Sequence, residues 1–302
     1  MNRAQKTASR RRFIRRGMEF SGGLLAVPAL SGALAADPGK TESGDMGPVN
    51  ETLKTIQSLR TIHGDFSEKQ VPEREVKAII GASIRAANAS NMQTYSIIVT
   101  RDAVKIQKLT GYRGSCLLLY CADHNRLIDT AKHLGYEFYA DNIEAFITSS
   151  TNTILAAQTA VIAARSLGID SLLTNGIHRG NMERIWDILE LPQKSCFPLI
   201  ALILGYPKTE PPYRRGRLGG PGVIHYERFQ RLSKSELEEI VRQYDDTALH
   251  LGLIDDWQRG GHKHYLDWFY KEWARGGAKP TASETQMLRR LKKSGFIDLQ
   301  NA

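Results

Sequence analysis

The chain has 302 residues, 41% of them apolar and 24% charged, which suits one large globular domain or two small ones. The net charge is +9, but residues 1–35 hold seven cations (Arg3, Lys6, Arg10, Arg11, Arg12, Arg15, Arg16) against Glu19, so only about +3 belongs to the rest and nucleic acid is not expected as a partner. Three cysteines, Cys116, Cys121 and Cys196, exclude a paired disulfide framework and read as buried core thiols.

The leader comes first. Ser9-Arg10-Arg11-Arg12-Phe13-Ile14-Arg15 has the order of a twin-arginine export signal. A weakly apolar run, Phe20 to Ala36, follows, broken by Gly22, Gly23, Pro28 and Gly32. Ala33-Leu34-Ala35 supplies a small-residue cleavage site. The run is too short and too broken for a comfortable membrane span. A basic nucleic-acid arm or a retained anchor are the alternatives, but an arm needs no apolar run. Residues 1–36 are therefore expected to be a signal peptide, read by the twin-arginine export machinery and sending the chain to the periplasm. Residues 37–50, rich in Gly, Pro and Asp, read as a linker.

Helical spacing of Leu53, Ile56 and Leu59 predicts a helix in "ETLKTIQSLR". Pro72 starts a second, with Val76, Ile79, Ile80 and Ile84 on one face. "TYSIIVTRD" reads as a strand, "AVKIQKLTG" as a short helix ended by Gly111, and "SCLLLYCAD" as a strand buried on both faces. Cys116 and Cys121, five apart in that strand, point to opposite faces. "NTILAAQTAVIAARSLGI" is apolar almost all round and predicts a central buried helix. Then come a strand "DSLLTNG", an amphipathic helix "NMERIWDILEL", a buried strand "CFPLIALILGYP", a basic loop "KTEPPYRRGRLGGPG" and a helix "KSELEEIVRQY". Residues 245–302 hold three of the four tryptophans, with aromatic spacing suited to docking on a neighbour. There is no Gly-rich phosphate loop, nucleophile elbow or H-E-x-x-H. His262 and His264 read as solvated rather than metal-binding, and no metal is expected.

Four polar clusters interrupt the apolar pattern. They are Arg60, Thr61 and His63; Asn88, Ser90, Asn91 and Gln93; Thr174, Asn175, Gly176, His178 and Arg179; and Arg214, Arg215 and Arg217. Guanidinium forks suit phosphate, and amides suit the edge of a heterocycle. Gly176 permits close approach of backbone to a ligand. The set lacks a nucleophile or a paired acid and base, so a cofactor that carries the redox chemistry would account for it. Individually, Arg60 could be a solvated cation, Asn91 and Gln93 could close a turn, and Arg179 could pair with Glu183.

The chain resembles the nitroreductase family of FMN-dependent oxidoreductases, in its NAD(P)H-flavin oxidoreductase branch. The resemblance covers roughly residues 52–232 and rests on "LRTIHGDF", "ASNMQTYSIIVTRD", "CADHNR", "TNTILAAQTAVIAARSLGI", "LELP", "FPLIALILGYP" and "GRLGGPGVIHYERF", in that order. It implies an α+β fold, a central mixed or antiparallel sheet flanked by helices, in an interlocked homodimer with FMN at the subunit interface. A flavin domain is expected at 51–244 and, where the composition changes after "KSELEEIVRQY", a C-terminal helical extension at 245–302. The resemblance puts Arg60, Thr61 and His63 on the FMN phosphate, with Arg215 and Arg217 closing over it. It puts Asn88, Asn91 and Gln93 on the flavin ring and ribityl chain, and brings the backbone of Thr174, Asn175, Gly176 and Ile177, with Arg179 nearby, to the N5 and O4 edge. No side chain is assigned a catalytic role. Gly64, Ala87-Asn88 and Gly219 depart from the family's usual residues. The implied reaction passes hydride between an NAD(P)H-like donor and a flat electrophile such as a nitroaromatic, quinone or flavin. Dehalogenation or dehydrogenation on the same scaffold, or a flavin electron relay, are the alternatives. A chain that needs FMN would fold before export, which the twin-arginine route permits.

Overall fold

The computed structural model describes residues 50–274 and 282–297. The leader and all of the linker before Asn50 lie outside the described residues. Four strands, β1 (Tyr95–Thr100), β2 (Cys116–Asp123), β3 (Asp170–Thr174) and β4 (Cys196–Gly205), form one sheet in the order β1-β2-β4-β3. All three pairings are antiparallel. The helices are α1 (Glu51–Gln57), α2 (Glu73–Ser83), α3 (Ala103–Thr110), α4 (Asn125–His133), α5 (Ile143–Ser166), α6 (Glu183–Leu189), α7 (Lys234–Asp245), α8 (Tyr265–Trp268) and α9 (Ala282–Lys293). Short 3-10 turns join them.

Local chemistry sets the boundaries. Pro72, with φ −58°, precedes α2, whose first turn carries Glu73 and Glu75 where the helix dipole favours acid. The Asp102 carboxylate accepts from the Val104 and Lys105 amides at the start of α3. Gly111, at φ 78°, ends α3 in the left-handed region that disfavours a side chain. Asn142 caps α5 by accepting from the Ala145 amide.

The sheet separates two apolar layers. On one face Leu117, Leu119, Cys121, Phe197 and Ile203 pack with Ile106 and Leu109 of α3, Ile185 and Trp186 of α6, and Phe296 beyond α9. On the other, Cys116, Leu118, Tyr120, Leu202 and Leu204 pack with Val76 and Ile79 of α2 and with Ala156, Ala157, Ala160 and Ala164 of α5. The small side chains let α5 lie close against the sheet. β2 is thus buried on both faces, and Cys116 and Cys121 fall in opposite layers. All three cysteines are free and buried. The Tyr120 hydroxyl lies 3.0 Å from Ser83 Oγ, which donates to the Ala156 carbonyl, and burial pushes the phenol up to about 12.

Several expectations shift. The central helix begins at Ile143 rather than Asn152, because Asn142 supplies a cap upstream. Its outer face is not covered: Ile143, Ile147 and Ile154 are exposed. Ile84 follows α2 and is exposed, because the apolar face ends at Ser83. Leu53 and Ile56 of α1 are likewise exposed. Beyond α7, Tyr265 stacks on Tyr244 at 5.4 Å between ring centroids, docking the later residues on α7.

Candidate functional site

The first cluster lies along the outer edge of β3. Past α1, the Ile62 amide donates to the Ser171 carbonyl at 3.0 Å. One edge of the Arg60 guanidinium meets Asp170, Nε at 2.9 Å and Nη2 at 2.7 Å, while the other edge meets Glu210. Asp170 is buried and also accepts from Arg165 at 3.0 Å. Asp170 first, then Glu210, holds the Arg60 guanidinium more firmly charged than usual. The inner edge of Arg60 is therefore structural, and only the outer edge, on an exposed carboxylate, faces solvent. Thr61 and His63 are exposed beside it.

Tyr112 joins this cluster to the third. Its ring stands edge-on to His63 at 5.7 Å. Gly64 has φ +87°, and a Cβ there would fall 2.7 Å from Tyr112 Cδ1. A Cβ on Gly176 would lie 3.0 Å from Thr174 Oγ1 and 4.0 Å from Tyr112 Cε2. The two segments thus pack on one aromatic ring where glycine leaves room.

The third cluster is a turn after β3. The Gly176 amide donates to Thr174 Oγ1 at 2.9 Å. Asn175 and Arg179 are exposed. The Ile177 side chain enters the core, so only its backbone can face a ligand. His178 is buried, its Nε2 2.9 Å from the Pro198 carbonyl, and burial lowers its pKa. Arg184 fixes this turn from behind. Its guanidinium donates to the carbonyls of Lys108 (3.2 Å), Leu109 (3.1 Å), Ile177 (3.1 Å), Arg179 (2.9 Å) and Asn181. It thereby ties the turn to the end of α3. Sequence reasoning missed both Tyr112 and Arg184. The bracketing glycines of "GYRG" were the only sign of the first, and nothing in the local pattern marked the second.

The basic loop joins the same edge. Arg214 donates to the Gln57 carbonyl at the end of α1. Arg215 donates to Asp255 at 3.0 Å and to the Leu253 carbonyl at 2.9 Å. Arg217 is exposed and, among the described residues, donates to the carbonyls of Arg215 (3.3 Å) and Gly216 (2.7 Å).

The second cluster sits elsewhere. It precedes β1, at the end of the sheet where Tyr95 pairs with Ala122 and Ala122 with Phe197. Asp170 and Arg60 stand at the Gly205 end of the opposite edge. Three strand spacings, about 14 Å, and about 25 Å along the strands separate these corners. The loop is tightly held. The Ala89 amide donates to Asn152 Oδ1 at 2.9 Å, the Gln93 amide to Asn88 Oδ1 at 3.0 Å, and Arg126 to the Met92 and Gln93 carbonyls. Asn88 therefore closes the loop. Ser90, Asn91 and Gln93 all have positive φ (51°, 53° and 49°). Such strain, of order 1–3 kcal/mol per residue, persists where the surroundings impose it and concentrates at ligand clamps. The Asn91 side chain is exposed.

The first cluster thus stands at the Gly205 end of the β3 edge and the second at the far edge of the sheet, while the third leaves β3 from Thr174, opposite Ala201, and runs toward Pro198. Among the described residues no group of three metal-ligating side chains occurs.

The comparisons bear directly on this architecture. A solved nitroreductase from Bacillus subtilis superposes with a TM-score of 0.65 at 23% identity, covering 81% of this chain and 98% of its own. The chain has the nitroreductase fold. By sequence it is 29% identical over 211 residues to an oxygen-insensitive NADPH nitroreductase of Salmonella typhimurium, covering 67% of this chain and 81% of that one. It is 27% identical over 209 residues to an NADPH-dependent FMN reductase of Bacillus subtilis, covering 66% and 82%. No family model matches the chain. In this nitroreductase-fold chain three of the sequence-marked clusters are tied to the β3 side of the sheet and the second to the β1 edge, although His178 and the Ile177 side chain face inward.

Proposed function

We propose that this nitroreductase-fold chain is an FMN-dependent oxidoreductase that works as a homodimer. It takes hydride from an NAD(P)H-like donor and passes it to a flat electrophile such as a nitroaromatic, a quinone or a free flavin. The observation that carries the reading is the meeting of the first and third clusters on Tyr112, with the basic loop tied through Arg214 to the end of α1 that leads into the first. There Thr61, His63, Asn175, Arg179 and Arg217 present exposed donors. That donor set fits a phosphorylated flat heterocycle, because it joins permanent positive charge to neutral hydrogen-bonding groups.

FMN, when bound, supplies the hydride chemistry. The chain supplies position and charge. Arg217, Thr61 and His63 would hold the phosphate, and Arg60, with both edges on Asp170 and Glu210, would brace that side of the site. The Thr174–Ile177 turn, braced by Arg184, presents its backbone to the reactive edge of the ring. Tyr112 keeps the turn and the first cluster in fixed relation. Donors aimed at the ring's pyrimidine side stabilise negative charge after reduction.

The two-corner arrangement supports the dimer. Asn88, Asn91 and Gln93 precede the β1 edge, opposite in the sheet to the β3 edge that holds Asp170 and Arg60, so in this reading a second copy brings them to the ligand. The exposed isoleucines of α5 start beside that loop, where Asn152 holds Ala89. The leader motif supports export by the twin-arginine route. Replacing Arg10 and Arg11 with Lys should leave flavin-loaded protein in the cytoplasm, and normal export of that variant would refute the route.

The first experiment is the visible spectrum of the purified protein, with identification of the released cofactor. A yellow protein that releases FMN is expected. A colourless protein that FMN cannot reconstitute overturns the reading, and turnover with candidate donors separates an enzyme from an electron relay.

A further inference from the structure

The chain beyond α7 folds back over the basic loop and grips it at several points. The Tyr213 ring lies flat on the His250 imidazole, centroids 3.5 Å apart and planes 2° apart. The Tyr213 hydroxyl donates to one oxygen of Asp255, and Arg215 Nη1 donates to the other at 3.0 Å. Arg215 Nη2 donates to the Leu253 carbonyl at 2.9 Å, and its guanidinium carbon stands 5.1 Å from the centre of the Tyr213 ring. The Gly216 amide donates to the His250 carbonyl at 3.2 Å. A Cβ on Gly216 would fall 2.3 Å from the Leu249 carbonyl oxygen, so only glycine permits this approach. Burial works against ionisation of Asp255, yet Tyr213, His250 and Arg215 together hold its carboxyl below the usual range.

The three arginines of the loop are therefore not equivalent. Arg214 is bonded to α1 and Arg215 to Asp255. Arg217 has no carboxylate partner among the described residues and meets only carbonyls of its own loop. We propose that Asp255 is a positioning residue for cofactor binding: it commits Arg215 to holding the loop against the C-terminal segment, which leaves Arg217 as the loop's phosphate-contacting cation. This rests on the reading above that the loop faces the FMN phosphate. It goes further in dividing the work between two arginines and in giving residues 249–255 a part in cofactor affinity.

The test uses the full chain with Asp255→Asn, Arg215→Ala, their double variant and Arg217→Ala. Two quantities are measured: the FMN dissociation constant by fluorescence quenching, and the rate of chymotryptic cleavage at Tyr213 in flavin-free protein. Arg217→Ala should weaken FMN by roughly 30-fold or more, the usual loss when one partner of a charged contact is removed, and leave cleavage unchanged. Asp255→Asn should weaken FMN by about tenfold while Arg217 is intact, and should speed cleavage, because the loop loses its anchor. The double variant should be no worse than the poorer single one, since both remove the same contact. Asp255→Glu should recover part of both losses. The inference fails if Asp255→Asn binds FMN and resists protease like the parent, or if the two losses simply add. Parent-like FMN binding by Arg217→Ala also overturns it. A chain that takes up no FMN at all sinks the functional reading and this inference with it, whereas a yellow, tight-binding Asp255→Asn sinks the inference alone.

Discussion

Arg184 spends its guanidinium on main-chain carbonyls, and burial makes its charge harder to hold. Removing it strands carbonyls of the turn that no other cation among the described residues is seen to reach. Arg184→Ala should cost about 2–3 kcal/mol of stability, as expected for hydrogen bonds to a charged group, measured by urea unfolding. It should also shift the reduction potential of the bound flavin, because the turn loses its orientation, and an unchanged potential would argue against the turn's contact with the ring. His124 and His178 give a pH signature. Burial is the main cause that lowers both values, so both are neutral in the native state. The unfolded chain binds the extra protons below about 6.5. Stability should therefore be full above that pH and fall as acid drives the histidines toward their lower native values. Thermal melts between pH 7 and 5 should show the decline, and His124→Gln should flatten it. At this scale the sequence marked residue types well and their work poorly. Arg60 stood out as a phosphate cation, but a fork on Asp170 cannot be foreseen from a partner 110 positions away.

The C-terminal helix shows the same limit among elements. α9 is mostly polar and its apolar side is short, Met287 and Leu291 packing on the core. Two further residues, the second just beyond the helix, help dock it. Arg290 is buried with its guanidinium 3.5 Å from the centre of the Trp186 ring and bonded to Gln193. Phe296 is fully buried against Phe146, 5.1 Å between centroids. Phe296→Ala should destabilise by about 3–5 kcal/mol, the range for emptying a large aromatic site, visible as a lower urea midpoint. α4 was missed for a related reason, since it has no buried residue to set a period. The strands were legible because β2 and β4 are apolar runs bounded by polar turns. Their order was not, because a strand buried on both faces carries no alternation to fix its neighbours, and only the resemblance pointed to a mixed or antiparallel sheet.

For the whole molecule, the uncovered face of α5 bears on the proposed dimer. Ile143, Ile147 and Ile154 are 52%, 59% and 47% exposed, too much apolar surface in one line for a helix that stands alone. Ile147→Asp should give monomers by sedimentation and lose FMN, though it lies at neither donor corner. A monomer that keeps FMN would show that one chain completes the site. The resemblance implied the dimer from the start. To that proposal the residues add amides at one edge of the sheet and the Arg60 cluster at the other.

That separation has a genetic consequence. If each pocket takes its cations from one chain and its amides from the other, two broken alleles can mend each other. Arg217→Ala damages one half of a pocket, and Asn91→Ala the other half. In a homodimer of either variant both pockets are spoiled. In a mixed pair, one pocket collects both lesions and the other collects none. Unfolding and refolding the two variants together should therefore restore flavin binding to about a quarter of all pockets, since half the pairs are mixed and each has one sound pocket.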